Sequence, residues 1–148
     1  MAEKMEMIDI LLVEDNPGDV RLTQEAFKEG MLRNNLHVVP DGEAAMDFLK
    51  GQGKYKNSSR PDLVLLDLNL PKMNGREVLT AIKNDPVLKR IPVVVLTTSQ
   101  DEQDVIESYK HFASSYIVKP VSMEKFVNVV ASFKQYWLSV VKLPEVEE

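Results

Sequence analysis

The stretch Leu63-Val64-Leu65-Leu66-Asp67 is a run of four apolar residues closed by a carboxylate. A run that short, with nothing polar inside it, fits a strand buried on both faces, as strands of a parallel sheet are. Three other stretches share the design. Ile8-Asp9-Ile10-Leu11-Leu12-Val13 leads to Glu14-Asp15, Val93-Val94-Val95-Leu96 to Thr97, and Tyr116-Ile117-Val118 to Lys119. Helix-like segments lie between the runs, and such alternation indicates βαβ units around a parallel sheet. The pattern predicts strands at 8–13, 36–40, 62–66, 92–96 and 115–118. It predicts helices at 17–30, 43–50, 75–84, 101–111 and 122–141.

Local chemistry supports these boundaries. Asn16-Pro17 places a capping residue before proline at the first helical position. Asn74-Gly75 opens the third helix in the same way, and Asp85-Pro86 closes it, because proline disfavours helical geometry in the residue before it. Residues 51–61, from Gly51 to Pro61, have no apolar period and read as a long loop. The chain contains no internal repeat.

Composition narrows the functions available. The 148 residues suffice for one domain with a sizeable core. A net charge of -5 argues against a nucleic-acid partner, which requires a basic face. There are no cysteines, which removes disulfides, thiolate metal sites and thiol nucleophiles and fits a reducing compartment. Met1–Met7 lacks the apolar core of a signal peptide, and no window approaches the ~20 apolar residues of a membrane span. These features predict a cytoplasmic protein.

The residues closing the runs carry the chemistry. Ligands of an open α/β sheet bind outside the carboxyl ends of its strands. One crevice would then receive the carboxylates of Glu14, Asp15 and Asp67, the Thr97 hydroxyl and the Lys119 ammonium. Each alone reads as a cap, a turn residue or a solvated charge, but the set falls at four separate strand ends. Crowded carboxylates repel one another, and a hard divalent cation resolves the repulsion. Asp67, on the strand expected at the centre, is the candidate nucleophile, since a carboxylate can take a phosphoryl group as an aspartyl phosphate. Lys119 can pair with Asp67 and then with a phosphoryl oxygen.

The last helix carries two apolar stripes. Met123, Phe126, Val127, Val130, Trp137, Leu138 and Val141 form one, and Val129, Phe133, Tyr136 and Val140 form another beside it. One stripe can cover the sheet. The second asks for another partner, which makes Val129, Phe133, Tyr136 and Val140 candidates for a homodimer interface, and Trp137 joins them from the part of the helix after Lys134 that overhangs the domain.

Taken together, the motifs Leu12-Val13-Glu14-Asp15-Asn16, Leu66-Asp67-Leu68-Asn69-Leu70-Pro71-Lys72-Met73-Asn74-Gly75, Val95-Leu96-Thr97-Thr98-Ser99 and Val118-Lys119-Pro120 resemble the receiver domains of two-component response regulators. The resemblance runs from residue 8 to about 134 and divides the chain into an N-terminal extension (1–7), a receiver domain (8–134) and a helical extension with an acidic tail (135–148). It implies a doubly wound, flavodoxin-like (βα)5 fold with sheet order 2-1-3-4-5. It implies that Asp67 accepts phosphate from a phosphohistidine of a sensor histidine kinase. Mg²⁺ would be held by Asp15, Asp67 and the backbone carbonyl of Asn69, with Glu14 nearby or acting through water. Thr97 and Lys119 would contact the phosphoryl oxygens, Lys119-Pro120 would be a cis peptide, and Tyr116 would be the aromatic switch that responds to Thr97. Glu14-Asp15 stands where the family more often has two aspartates.

The sequence stops soon after the last helix, so a stand-alone receiver is expected, with protein contact as its output. The 51–61 loop, the Asp62–Pro71 stretch and Tyr136-Trp137-Leu138 resemble the small regulators paired with bacterial phytochrome kinases. Those relatives dimerise through the fourth helix, fifth strand, fifth helix and tail. Two rival readings weigh less. A phosphohydrolase with an aspartyl nucleophile would want an acid two residues after it, where this chain has Asn69. An unphosphorylated pseudo-receiver would have lost a pocket residue.

Overall fold

Runs this short and this continuously apolar must be covered on both sides, which is what a parallel sheet between two helical layers provides. The computed structural model describes residues 8–29, 34–57, 60–98 and 113–130. Its strands are β1 (Ile8–Val13), β2 (Asn34–Val39), β3 (Leu63–Asp67), β4 (Val93–Thr97) and β5 (Ser115–Val118). They form one sheet in the expected order, β2-β1-β3-β4-β5, with every neighbouring pair parallel. The order reverses between β1 and β3, so a crevice opens at their carboxyl ends.

The helices are α1 (Pro17–Glu29), α2 (Gly42–Lys50), α3 (Gly75–Asn84) and α4 (Met123–Val130). Side-chain alternation along the strands sorts the core into two halves. Leu11, Val13, Val64, Leu66, Val93 and Val95 pack under α2 and α3, against Phe48, Leu49, Leu79 and Ile82. Ile10, Leu12, Leu63, Leu65, Val94, Leu96 and Ile117 pack on the opposite face, under Phe27 of α1 and Phe126 of α4. The two phenylalanine rings meet at 4.8 Å between centroids and tie those helices together.

Caps set the helix starts. Asn16 Oδ1 accepts from the amides of Gly18 at 2.8 Å and Asp19 at 3.1 Å. Asn74 and Glu77 form a reciprocal capping box. Asp85 ends α3, and its carboxylate accepts from the amides of Val87 and Leu88. Gly75 is required by close approach. A Cβ there would meet the Asp67 carbonyl oxygen and come within 2.6 Å of Leu68 Cα, so α3 starts hard against the end of β3.

Some boundaries differ from expectation. β2 begins two residues early, because polar Asn35 and His37 both reach Asp9 Oδ1 on β1, at 3.1 and 3.3 Å. β3 and β4 run one residue further, to include Asp67 and Thr97. Residues 51–61 include a turn of 3-10 helix, Gly53–Tyr55, anchored by the Tyr55 ring against Phe48 at 5.2 Å. The expected helix at 101–111 and the last helix beyond Val130 lie outside the described residues. Among the described residues, no helix is long and apolar enough to cross a membrane.

Candidate functional site

Strand alternation decides which polar residues meet. On β3, Leu63 and Leu65 face α1 and α4, so Asp67 continues that face. Ile10 and Leu12 place Glu14 on the same side, and Ile117 places Lys119 there. Thr97 instead follows Val93 and Val95 onto the opposite face. Asp67, Glu14 and Thr97 are all buried, at 5%, 3% and 2% exposure, although two of them bear charge. Burial of charge on this scale requires compensation.

Lys119 provides part of it. Its ammonium reaches Asp67 Oδ2 at 3.1 Å, Asp19 Oδ2 at 3.0 Å and Glu14 Oε1 at 2.5 Å. The Glu14 contact is an ion pair without hydrogen-bond alignment, while Glu14 Oε2 accepts from the Asn16 amide at 3.2 Å. Asp67 Oδ1 accepts from the Asn69 amide at 3.0 Å. The peptide joining Lys119 to Pro120 is cis.

One ammonium does not balance this cluster. Ligand oxygens of Glu14, Asp15 and Asp67 lie within 4.8 Å of one another, and Asp19 adds a fourth carboxylate beside Lys119. Burial pushes the Glu14 carboxyl up to about 7 against the pull of Lys119, and neighbouring Asp67 adds to the rise. Burial acts to lower the Lys119 pKa, but Glu14, Asp19 and Asp67 outweigh it and hold the group above the ordinary lysine value. The surplus of hard oxygen donors, one of them a buried carboxylate oxygen with no hydrogen bond, fits a divalent cation.

A family model for the response regulator receiver domain matches residues 10–131. The chain belongs to that family. Over 135 residues this receiver is 52% identical to the response regulator Rcp1 of Synechocystis sp., covering 91% of this chain and 92% of Rcp1. The solved Mn²⁺-bound form of Rcp1 aligns with a TM-score of 0.73 at 51% identity, over 93% of this chain and 99% of that one. The phosphorylated cyanobacterial phytochrome response regulator RcpA aligns with a TM-score of 0.75 at 48% identity, over 95% and 100% of the two chains. The bacteriophytochrome response regulator AtBRR gives 0.82 at 39% identity, over 97% and 99%.

In this receiver the predicted residues separate by position. Glu14, Asp15, Asp67 and Lys119 converge at the carboxyl ends of β1, β3 and β5. Thr97 ends β4 beside them, and its carbonyl accepts from the Lys119 amide at 2.8 Å. Tyr116 pairs with Val95 and packs half-buried against the core under α2 and α3. Val129 is half-buried against the core under α1 and α4, so part of its surface is used within the domain. Phe133, Tyr136, Trp137 and Val140 lie outside the described residues. Sequence reasoning missed Asp19, which lies unremarked within the helix expected at 17–30. Its partner Lys119 is 100 residues away, a separation no local pattern reports.

Proposed function

We propose that this receiver is phosphorylated on Asp67 by a sensor histidine kinase, and that the phosphoryl group switches a protein-interaction surface. The supporting observation is a buried carboxylate at the end of the central strand, held by Lys119 and crowded by Glu14 and Asp15. An Asp67 oxygen attacks the phosphorus of the kinase phosphohistidine. The P–O bond forms as the P–N bond breaks, and the bonding pair leaves on the imidazole nitrogen. Lys119, already at Asp67 Oδ2, then pairs with a phosphoryl oxygen, and the Thr97 hydroxyl donates to another. Asp15, Asp67 and the Asn69 carbonyl, with Glu14 beside them, would hold Mg²⁺, which would offset the charge of carboxylates and phosphoryl group together.

Movement of Thr97 toward the phosphoryl group vacates space that Tyr116, on the same face of the sheet, turns to fill. The description of RcpA as a phytochrome response regulator and of AtBRR as a bacteriophytochrome response regulator supports a phytochrome as the kinase. The apolar residues Val129, Phe133, Tyr136, Trp137 and Val140, with 101–111 and β5, support a homodimer. Trp137→Ala then lowers the sedimentation coefficient toward that of a monomer; an unchanged coefficient removes the tail from the interface.

The acceptor is tested by incubating the protein with Mg²⁺ and acetyl phosphate, followed by intact mass and peptide mapping. The expected result is one phosphoryl group on Asp67, absent after metal chelation and absent from Asp67→Asn. A labelled Asp67→Asn protein, or no label on folded, Mg²⁺-loaded protein, overturns the reading.

A further inference from the structure

We infer that Asp19 is the positioning residue for Lys119, the group that keeps the ammonium at the pocket when its other anionic partners are drawn away. The inference rests on Asp67 being the phosphoacceptor. An ammonium has three donor hydrogens, and here it meets three carboxylates, those of Glu14, Asp19 and Asp67. Two of the three, Glu14 and Asp67, also belong to the carboxylate set that fits a divalent cation. Once a cation and a phosphoryl group engage that set, Asp19 is the carboxylate left to the ammonium alone.

Asp19 is built for the task. Its backbone is pinned on both sides in the first turn of α1. Its amide donates to Asn16 Oδ1 at 3.1 Å, and its carbonyl accepts from Thr23 Oγ1 at 2.9 Å. The first turn of a helix favours a negative charge, which suits a carboxylate placed there as a counter-ion. Its side chain is 28% exposed, whereas Lys119 is 8% exposed, so Asp19 stands at the rim and the ammonium sits within. Lys119 hangs on a flexible four-carbon stem, and a charged hydrogen bond from a fixed helix restricts where that stem can point.

The test is a double-mutant cycle on the rate of Asp67 labelling by acetyl phosphate with saturating Mg²⁺: wild type, Asp19→Asn, Lys119→Ala and both together. Asp19→Asn slows labelling about tenfold, the scale of one charge-assisted hydrogen bond, and costs nothing further in the Lys119→Ala background. An equal loss in both backgrounds assigns Asp19 to the helix start and overturns the inference. So does faster labelling of Asp19→Asn, which would mean that Asp19 withholds the ammonium. A second readout addresses Lys119 directly and does not depend on residual labelling of Lys119→Ala. With Mg²⁺ bound, Lys119 resists an amine-acylating reagent in wild type and becomes reactive in Asp19→Asn. Protection unchanged by the substitution contradicts the inference. Failure of wild type to label at Asp67 would instead count against the acceptor assignment, leaving the lysine footprint to judge Asp19.

Discussion

The two faces of the sheet end differently. Under α1 and α4 the apolar strands finish in charge: Glu14, Asp67 and Lys119, with Asp19 above them on the helix. Under α2 and α3 they finish in neutral groups: Thr97 at the tip of β4 and Tyr116 one strand over. Both faces are built from the same aliphatic residues at the same two-residue period. The difference is one of parity, since a shift of one residue along a strand exchanges its faces. Charged groups are thereby confined to one face and a half-buried aromatic to the other. The carboxyl edge, where a phosphoryl group on Asp67 would stand, is where they meet.

The largest expected effect breaks the charged face from beneath. Phe126 is fully buried and packs tilted against Phe27, so Phe126→Ala destabilises the fold by about 3–5 kcal/mol, read by urea unfolding. A cost below about 1 kcal/mol would mean that α4 does not hold that layer.

A smaller effect concerns proton and metal competition. Burial sets the Glu14 carboxyl at about 7 without metal, so below that pH a proton sits where a cation would otherwise be balanced. Because the carboxyl pKa is raised, the proton is held as pH falls through 7 and is absent above it. Mg²⁺ affinity, titrated calorimetrically, falls about tenfold from pH 8 to one unit below this pKa, and Glu14→Gln flattens the profile. A flat wild-type profile would separate Glu14 from the cation.

Much of this was legible in the chain. Four of the five strands appeared as apolar runs, each run was closed by a polar residue, and the caps Asn16, Asn74 and Asp85 sit where expected. The errors arose where tertiary contacts override local pattern. Asn34 and Asn35 belong to β2 because edge-strand polar groups can bond across to Asp9, which an apolar period does not report. Asp67 and Thr97 lie in their strands because the ladder continues to the edge of the crevice. Asp19 could not be found at all: a first-turn acid is an ordinary helix feature, and only the fold brings it to Lys119. The assignment of Thr97 and Asp67 to opposite faces was implicit in the alternation, but it needed the register to become visible.

The smallest expected change is also the most direct test of the proposed link between the faces. The measurement is the NMR spectrum of ring-labelled tyrosine, with Tyr116 assigned by substitution, before and after stoichiometric phosphorylation of Asp67. Tyr116 is expected to shift in wild type and to stay unmoved in Thr97→Ala that carries the same label. A Tyr116 resonance that ignores full phosphorylation of the wild-type protein, or one that shifts equally without the Thr97 hydroxyl, would contradict the link from the charged face to the aromatic one.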